Sequence, residues 1–186
     1  MHQYRPARRD QTLHRPLGQG TTSPRMIIWR LTPDRADEWR AIRLAALRDA
    51  PDAFDATLAE WQDRPLADFA ERLAEVPTFA AGDHPGRPLA TASWLPGLDD
   101  RDRKRGWLLG VFARPEARGQ GHATAVIHAV LADAARQGMT SMGLNVRDTA
   151  PHAQALYRRL GFRATARQGI TNARGLPETE MLKDLP

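Results

Sequence analysis

The chain reads as an α+β (α/β mixed) domain built on a mixed sheet, and three observations lead there. The second half alternates short apolar, β-favouring runs with longer amphipathic runs, the pattern of strands interleaved with helices. The first half places helical periodicity ahead of a strand–turn–strand pattern over 77–95. The 186 residues are 41% hydrophobic, enough for one sizeable core.

Residues 1–25 stand apart. They hold Arg5, Arg8, Arg9, Arg15 and Arg25 against Asp10, so most of the chain's net charge of +5 sits there. Pro, Gly, Ser and Thr break any apolar periodicity. We read 1–25 as a disordered basic extension and 26–186 as the domain. A basic tail can meet nucleic acid or an acidic surface. The rest of the chain has no basic stripe interleaved with aromatics, so nucleic acid is not the partner expected. No apolar run nears the roughly 18–20 residues of a membrane span, and the Arg-rich start lacks the apolar core of a signal peptide. Cysteine is absent, which excludes disulfides, Cys–zinc sites and thiol catalysis. A cytoplasmic location is expected.

The elements follow in order. Residues 26–31 are apolar and β-favouring, a first strand. Thr32-Pro33-Asp34 is a helix start, with Thr32 or Asp34 as cap. Trp39, Ile42, Ala46 and Leu47 share one face of that helix, and Pro51 ends it. A second helix is expected over 52–62 and a third over 65–75, with Leu66, Phe69 and Leu73 inward. Strands at 77–81 and 89–95 flank a turn at 83–87. A charged loop spans 96–105, and the next strand spans 106–113. Val126, Ile127, Val130, Leu131 and Ala134 form the core stripe of a helix over 124–136, closed by Gly138. A strand at 140–146, a helix at 150–160 ended by Gly161, and strands at 162–166 and 177–183 complete the chain.

The chemistry gathers between 111 and 123. Pro115 stops an apolar strand, a loop carries Gly119 and Gly121, and a long helix opens directly from it. The first N–H groups of a helix have no intrahelical partners, and the helix dipole favours negative charge beside them. Glycine lets the backbone approach a ligand closely. The stretch has the makings of a phosphate cradle. It is not a Walker loop, because the spacing and the Lys are missing. Nor is it a dinucleotide fingerprint, since Thr124 stands where the third Gly belongs.

Two blocks resemble a known family. Arg118-Gly119-Gln120-Gly121-His122-Ala123 is similar to the Q/R-x-x-G-x-G/A signature of the GNAT superfamily of acetyl-CoA-dependent N-acetyltransferases, and Val111-Phe112-Ala113-Arg114-Pro115 precedes it as there. About 35 residues on, the segment from Ala153 to Phe162 resembles the family's A-x-x-L-Y-x-x-x-G-F block. Arg43-Leu44-x-x-Leu47 followed by Pro51-Asp52-Ala53-Phe54 is similar to many bacterial members.

The resemblance implies a twisted mixed sheet of roughly six or seven strands with about four helices. Two central parallel strands would splay to admit the co-substrate. It places the pyrophosphate of acetyl-CoA on the backbone of Arg118, Gly119, Gln120, Gly121, His122 and Ala123. The pantetheine arm would run along Val111, Phe112 and Ala113 as an added strand, with Asn145 lining the cleft. Arg118 offers a guanidinium to phosphate; for His122 the backbone N–H is the expected contact. Tyr157 would be the general acid that protonates the leaving thiolate, its pKa of roughly 10 suiting that task. Ala150 stands where the family often has Asn, so one polar contact is in doubt and Asp148 or Thr149 is left to cap the helix.

The proton acceptor is not readable. Glu60, Asp63, Asp83, His84, Asp99, Asp100 and Glu180 are the candidates. Trp61 and Trp94 are candidates to line an acceptor pocket. His128 and His152 read as exposed, and no His pair has metal-ligand spacing, so no metal is expected. The acceptor expected is a small-molecule primary amine. A protein N-terminal or lysine acetyltransferase, and a non-catalytic CoA-binding module, stand beside that reading. Edge strands offer a surface for a homodimer.

Overall fold

The computed structural model describes residues 25–97, 103–167 and 170–186. The expectations for the extension up to residue 24, for the tip of the charged loop at 98–102, and for Asp99 and Asp100 lie outside the described residues.

Eight strands form one mixed sheet. They are β1 (Ile27–Leu31), β2 (Thr78–Gly82), β3 (Ala90–Pro96), β4 (Arg105–Ala113), β5 (Ser141–Arg147), β6 (Arg163–Ala164), β7 (Ile170–Thr171) and β8 (Pro177–Asp184). Their order is β1-β2-β3-β4-β5-β8-β6, with β7 also on β8. Among the described residues, only β4 and β5 pair in parallel and every other ladder is antiparallel. The helices are α1 (Ala36–Asp49), α2 (Leu58–Trp61), α3 (Leu66–Glu75), α4 (His122–Arg136) and α5 (Pro151–Arg159). Among the described residues, no helix is long and apolar enough to cross a membrane.

The sheet has a core on each face. On one, Ile42 and Trp39 of α1 and Phe69 and Leu73 of α3 pack with Ala80 and Phe112. On the other, Val126, Ile127 and Val130 of α4 pack with Phe79, Leu108, Leu144 and Met181. The period of two along β2 sends Phe79 and Ala80 to opposite cores.

Strand β4 breaks that period. Thr91 pairs with Phe112 and Ser93 with Leu109, so two residues of β4 oppose the single Ala92. Gly110 takes the extra place, with a left-handed φ of +64°. This is a β-bulge with glycine at its αL position. Leu108 and Phe112 lie four apart and would share a face in a regular strand. The bulge sends them to opposite cores.

Several expected boundaries change. A 3-10 turn over Pro33–Arg35 precedes α1, and neither Thr32 nor Asp34 caps that helix with its side chain. The helix expected over 52–62 divides into a 3-10 turn, Pro51–Ala53, and the single turn of α2, which opens on a capping box between Thr57 and Glu60. Helix α4 starts at His122, inside the expected cradle. Neither Asp148 nor Thr149 caps α5. Asp148 accepts from the Thr179 hydroxyl at 2.7 Å, and Thr149 from Arg147 at 3.0 Å. The strand expected over 162–166 shrinks to two residues, and β7 has too short an apolar run to be legible.

Candidate active site

The ladder between β4 and β5 ends at Trp107↔Gly143, although β4 runs on to Ala113 and β5 to Arg147. Beyond that pair the strands part. Gly143 lets Trp107 close over the junction, since a Cβ there would meet the indole at 3.0 Å. Above it, one edge of each strand has no neighbouring strand. Backbone polar groups removed from water need partners, so a cleft with two open strand edges suits an extended, amide-bearing ligand.

The cleft is a cavity of about 370 Å³. Leu109, Gly110 and Val111 line it from β4, Asn145 from β5, Ala150 from the N-cap of α5, and Ala153 and Tyr157 from α5 itself. At its inner end it meets a larger cavity of about 870 Å³ between the sheet and α1–α3. Phe54, Gly110, Asn145 and Glu178 line both.

Beyond β4 the cradle has the expected local geometry. Gly119 and Gly121 hold φ of +73° and +84°, and Gly121 is the N-cap of α4. The first hydrogen bond of α4 runs from the Ala125 N–H to the Gly121 carbonyl. The N–H groups of His122, Ala123 and Thr124 therefore have no intrahelical partner. A Cβ at Gly119 would meet nothing within 4 Å, so the loop is open above it. The residues present fit a phosphate.

Other expected residues divide. Val111, Asn145 and Tyr157 come together in the cleft. Phe112 turns its ring into the opposite core, so only its backbone is available there. Arg118 folds back, its Nε donating to the Ala113 carbonyl at 3.3 Å, and Gln120 donates to the Glu116 carbonyl at 2.8 Å. Both brace the loop. His122 is buried, and its Nδ1 has no hydrogen-bond partner among the described residues. His128 and His152 are exposed. Trp61 lines the larger cavity. Trp94 does not. It is buried against α4 and donates its indole N–H to Asp133 at 2.9 Å.

Tyr157 is buried to 9% exposure, and its ring meets Phe162 edge-on at 5.9 Å. Burial pushes its phenol well above the ordinary value. It stays protonated, as a donor must, and is a weaker acid than its residue type suggests.

None of the described base candidates lines either cavity. Glu60 is held in its capping box, and Asp63 is exposed. Asp83 pairs with Arg87 at 3.1 Å and His84 is exposed, both in the β2–β3 turn. Glu180 is buried but tied to Arg167 at 3.2 Å and Thr165 at 3.0 Å. Glu178, two residues earlier on the same face of β8, lines both cavities instead. Its carboxyl is raised above the usual range, first by burial and then by the Asp55 carboxylate, with Arg147 opposing. A raised carboxyl at the junction of two cavities is suited to take a proton. Its signal in the sequence was only the period of two from Glu180.

The larger cavity has an aromatic wall. Trp39 and Trp61 line it; they meet each other and the fully buried Phe69 edge-on at centroid distances of 5.1–5.6 Å. Among the described residues, no group of three or more His, Asp or Glu is placed to hold a metal ion.

A model of the acetyltransferase (GNAT) family matches residues 38–162. No curated protein matches the chain in sequence. Solved structures match its fold. A GNAT-family acetyltransferase from Streptococcus pneumoniae is 16% identical, with a TM-score of 0.71 over 87% of this chain and 100% of that one. The ribosomal-protein-alanine N-acetyltransferase from Brucella melitensis is 20% identical, with a TM-score of 0.70 over 86% and 99%. A phosphinothricin acetyltransferase from Sinorhizobium meliloti, in complex with AcCoA, is 19% identical, with a TM-score of 0.68 over 86% and 88%.

Proposed function

The chain belongs to the GNAT acetyltransferase family, and we propose that it moves the acetyl group of acetyl-CoA to a small-molecule primary amine by direct attack within a ternary complex. The observation that carries the reading is the parting of β4 and β5 beyond Trp107↔Gly143, with a cavity on each side of the junction.

In this reading the catalytic domain spans 26–186. The pyrophosphate lies on the N–H groups from Arg118 to Ala123, where the dipole of α4 favours negative charge. The pantetheine arm lies along Val111, Phe112 and Ala113, with Asn145 opposite. The acceptor enters the larger cavity and brings its amine to the junction. Glu178 takes a proton from the ammonium, directly or through one water, so that the nitrogen can attack the thioester carbonyl carbon. A backbone N–H of β4 near the Gly110 bulge faces the developing oxyanion. As the C–S bond breaks, Tyr157 donates its proton to the sulfur, and the second amine proton leaves to water. Orientation of the two substrates supplies much of the rate.

Calorimetric titration of acetyl-CoA into wild type and Gly121→Glu tests the co-substrate site. Position 121 has room for a Cβ, the nearest atom being Met26 Cε at 3.9 Å, but its φ is left-handed. The variant therefore costs about 1–2 kcal/mol of backbone strain, and circular dichroism checks that it still folds. Wild type should bind and the variant should not. A folded wild type that binds no acyl-CoA overturns the reading. Thiol release with a panel of amines then tests transfer; activity on peptides with none on free amines would make the acceptor a protein.

A further inference from the structure

The larger cavity holds a feature that acetyl transfer as such does not need. Arg43 projects into it from α1, its guanidinium over the rings of Phe54 at 5.1 Å and Trp61 at 5.4 Å. Among the described residues no carboxylate stands within ion-pair distance of it, and its Nε is buried without a hydrogen-bond partner. Arg72 of α3 lines the same cavity, and Arg64 stacks on Trp61 at 4.7 Å. A second buried polar atom, the Thr91 hydroxyl, lines the floor without a partner among the described residues.

A guanidinium pressed into an aromatic wall beside a second arginine is costly. Burial and the charge of Arg72 together lower the Arg43 pKa to about 10, so it remains a cation at neutral pH. Unpaired polar groups removed from water are unfavourable until a ligand satisfies them. The cavity also carries acids. Asp68 stands 3.9 Å from Arg64 and Glu75 3.9 Å from Arg72; both are partly exposed pairs at long range and hold their arginines weakly. Arg43 has no such partner, and it lies deeper, where solvent and salt screen it less. A planar fork of donors pairs best with an oxyanion. At the junction stand Glu178 and Asp55, which draw an ammonium.

Building on the proposed transfer reaction, we infer that the acceptor is a zwitterionic amine, its carboxylate or phosphonate held by Arg43 with Arg72 beside it and its ammonium held at Glu178. The indoles of Trp39 and Trp61 pack the carbon skeleton between them.

Two readouts test this on the full chain loaded with acetyl-CoA: thiol release and thermal shift. The probes are free α-amino acids, each beside its primary amide, and 2-aminoethylphosphonate beside ethanolamine. At least one acid should be preferred over its neutral partner in kcat/KM. In Arg43→Gln the KM for that acid should rise roughly 10- to 100-fold, the scale of a lost charge-assisted pair. The KM for the neutral partner should move less than about threefold, and Arg43→Lys should recover part of the loss. A stacking role alone would weaken all acceptors equally. Arg72→Gln, on a more exposed residue, serves if Arg43→Gln misfolds. Transfer to neutral amines without preference overturns the inference and leaves the transfer reading intact. If no amine releases thiol, the transfer reading fails, and thermal shift decides the inference. Acids that stabilise wild type and not Arg43→Gln support it; acids that stabilise neither protein overturn it.

Discussion

At the scale of single residues the proposed reaction rests on two groups moved from their ordinary acidity. Burial raises the Tyr157 phenol, so it is protonated across the working range and, in the proposed role, a reluctant acid. Tyr157→Phe should lower kcat about 10- to 100-fold, the low end of general-acid contributions, and leave the KM for acetyl-CoA nearly unchanged; steady-state thiol release measures both. Glu178 must be ionised to take a proton, and its pKa is raised. The acid limb of kcat/KM should therefore lie above the ordinary glutamate range and vanish in Glu178→Gln. Stability carries the opposite sign. The folded chain holds the Glu178 proton at pH values where the unfolded chain has lost it. This residue's contribution accordingly falls as pH rises from its unfolded value through its folded one. Urea unfolding of wild type and Glu178→Gln across that window should show the difference narrowing toward low pH.

At the scale of elements, Gly110 decides which way β4 faces. A Cβ there would meet only Ser93 Oγ at 3.5 Å, an ordinary contact, so the cost of alanine is conformational. Gly110→Ala should destabilise by about 1–2 kcal/mol in urea unfolding and weaken acetyl-CoA in calorimetry, since Gly110 lines the cleft and a relaxed bulge would turn the strand there. This element marks where the sequence stops being readable. The helices with clear stripes, α1, α3 and α4, were legible because a single buried face fixes the period. The 106–113 strand was legible as a strand, but the alternation that assigns faces is broken by one residue at Gly110. An isolated glycine inside an apolar run was the only hint. The glycine loop and the helix that opens from it were legible because their parts are consecutive. The candidate proton acceptor and the arginine wall were not, since Glu178 and Arg43 lie far apart in the chain and come to line one cavity only in the fold.

At the scale of the whole molecule, β4 and β5 part beyond Trp107↔Gly143 and, among the described residues, each keeps one edge without a strand neighbour. A bound acyl-CoA that completes both edges should stabilise the protein by about 2.7 kcal/mol at a hundredfold excess over Kd. For a chain of this size that is a rise in Tm of roughly 5–10 °C, measurable by calorimetry.

The position of β8 beside β5 also has a consequence in time. The segment bearing Glu178 is synthesised after every other part of the site, and it supplies the antiparallel partner that fixes β5 along Ser141–Arg147. Its neighbouring β7–β8 turn also clasps the segment after α1, through Arg174 to the Pro51 carbonyl at 2.9 Å and the Ala173 N–H to Asp55 at 3.2 Å. A chain still emerging from the ribosome therefore lacks both the partner of β5 and the clasp on the 51–55 segment, and β5 and that segment both line the cavities. On the proposed reading, the strand that orders β5 also delivers the candidate proton acceptor, so that assembling the cleft and arming it are one event.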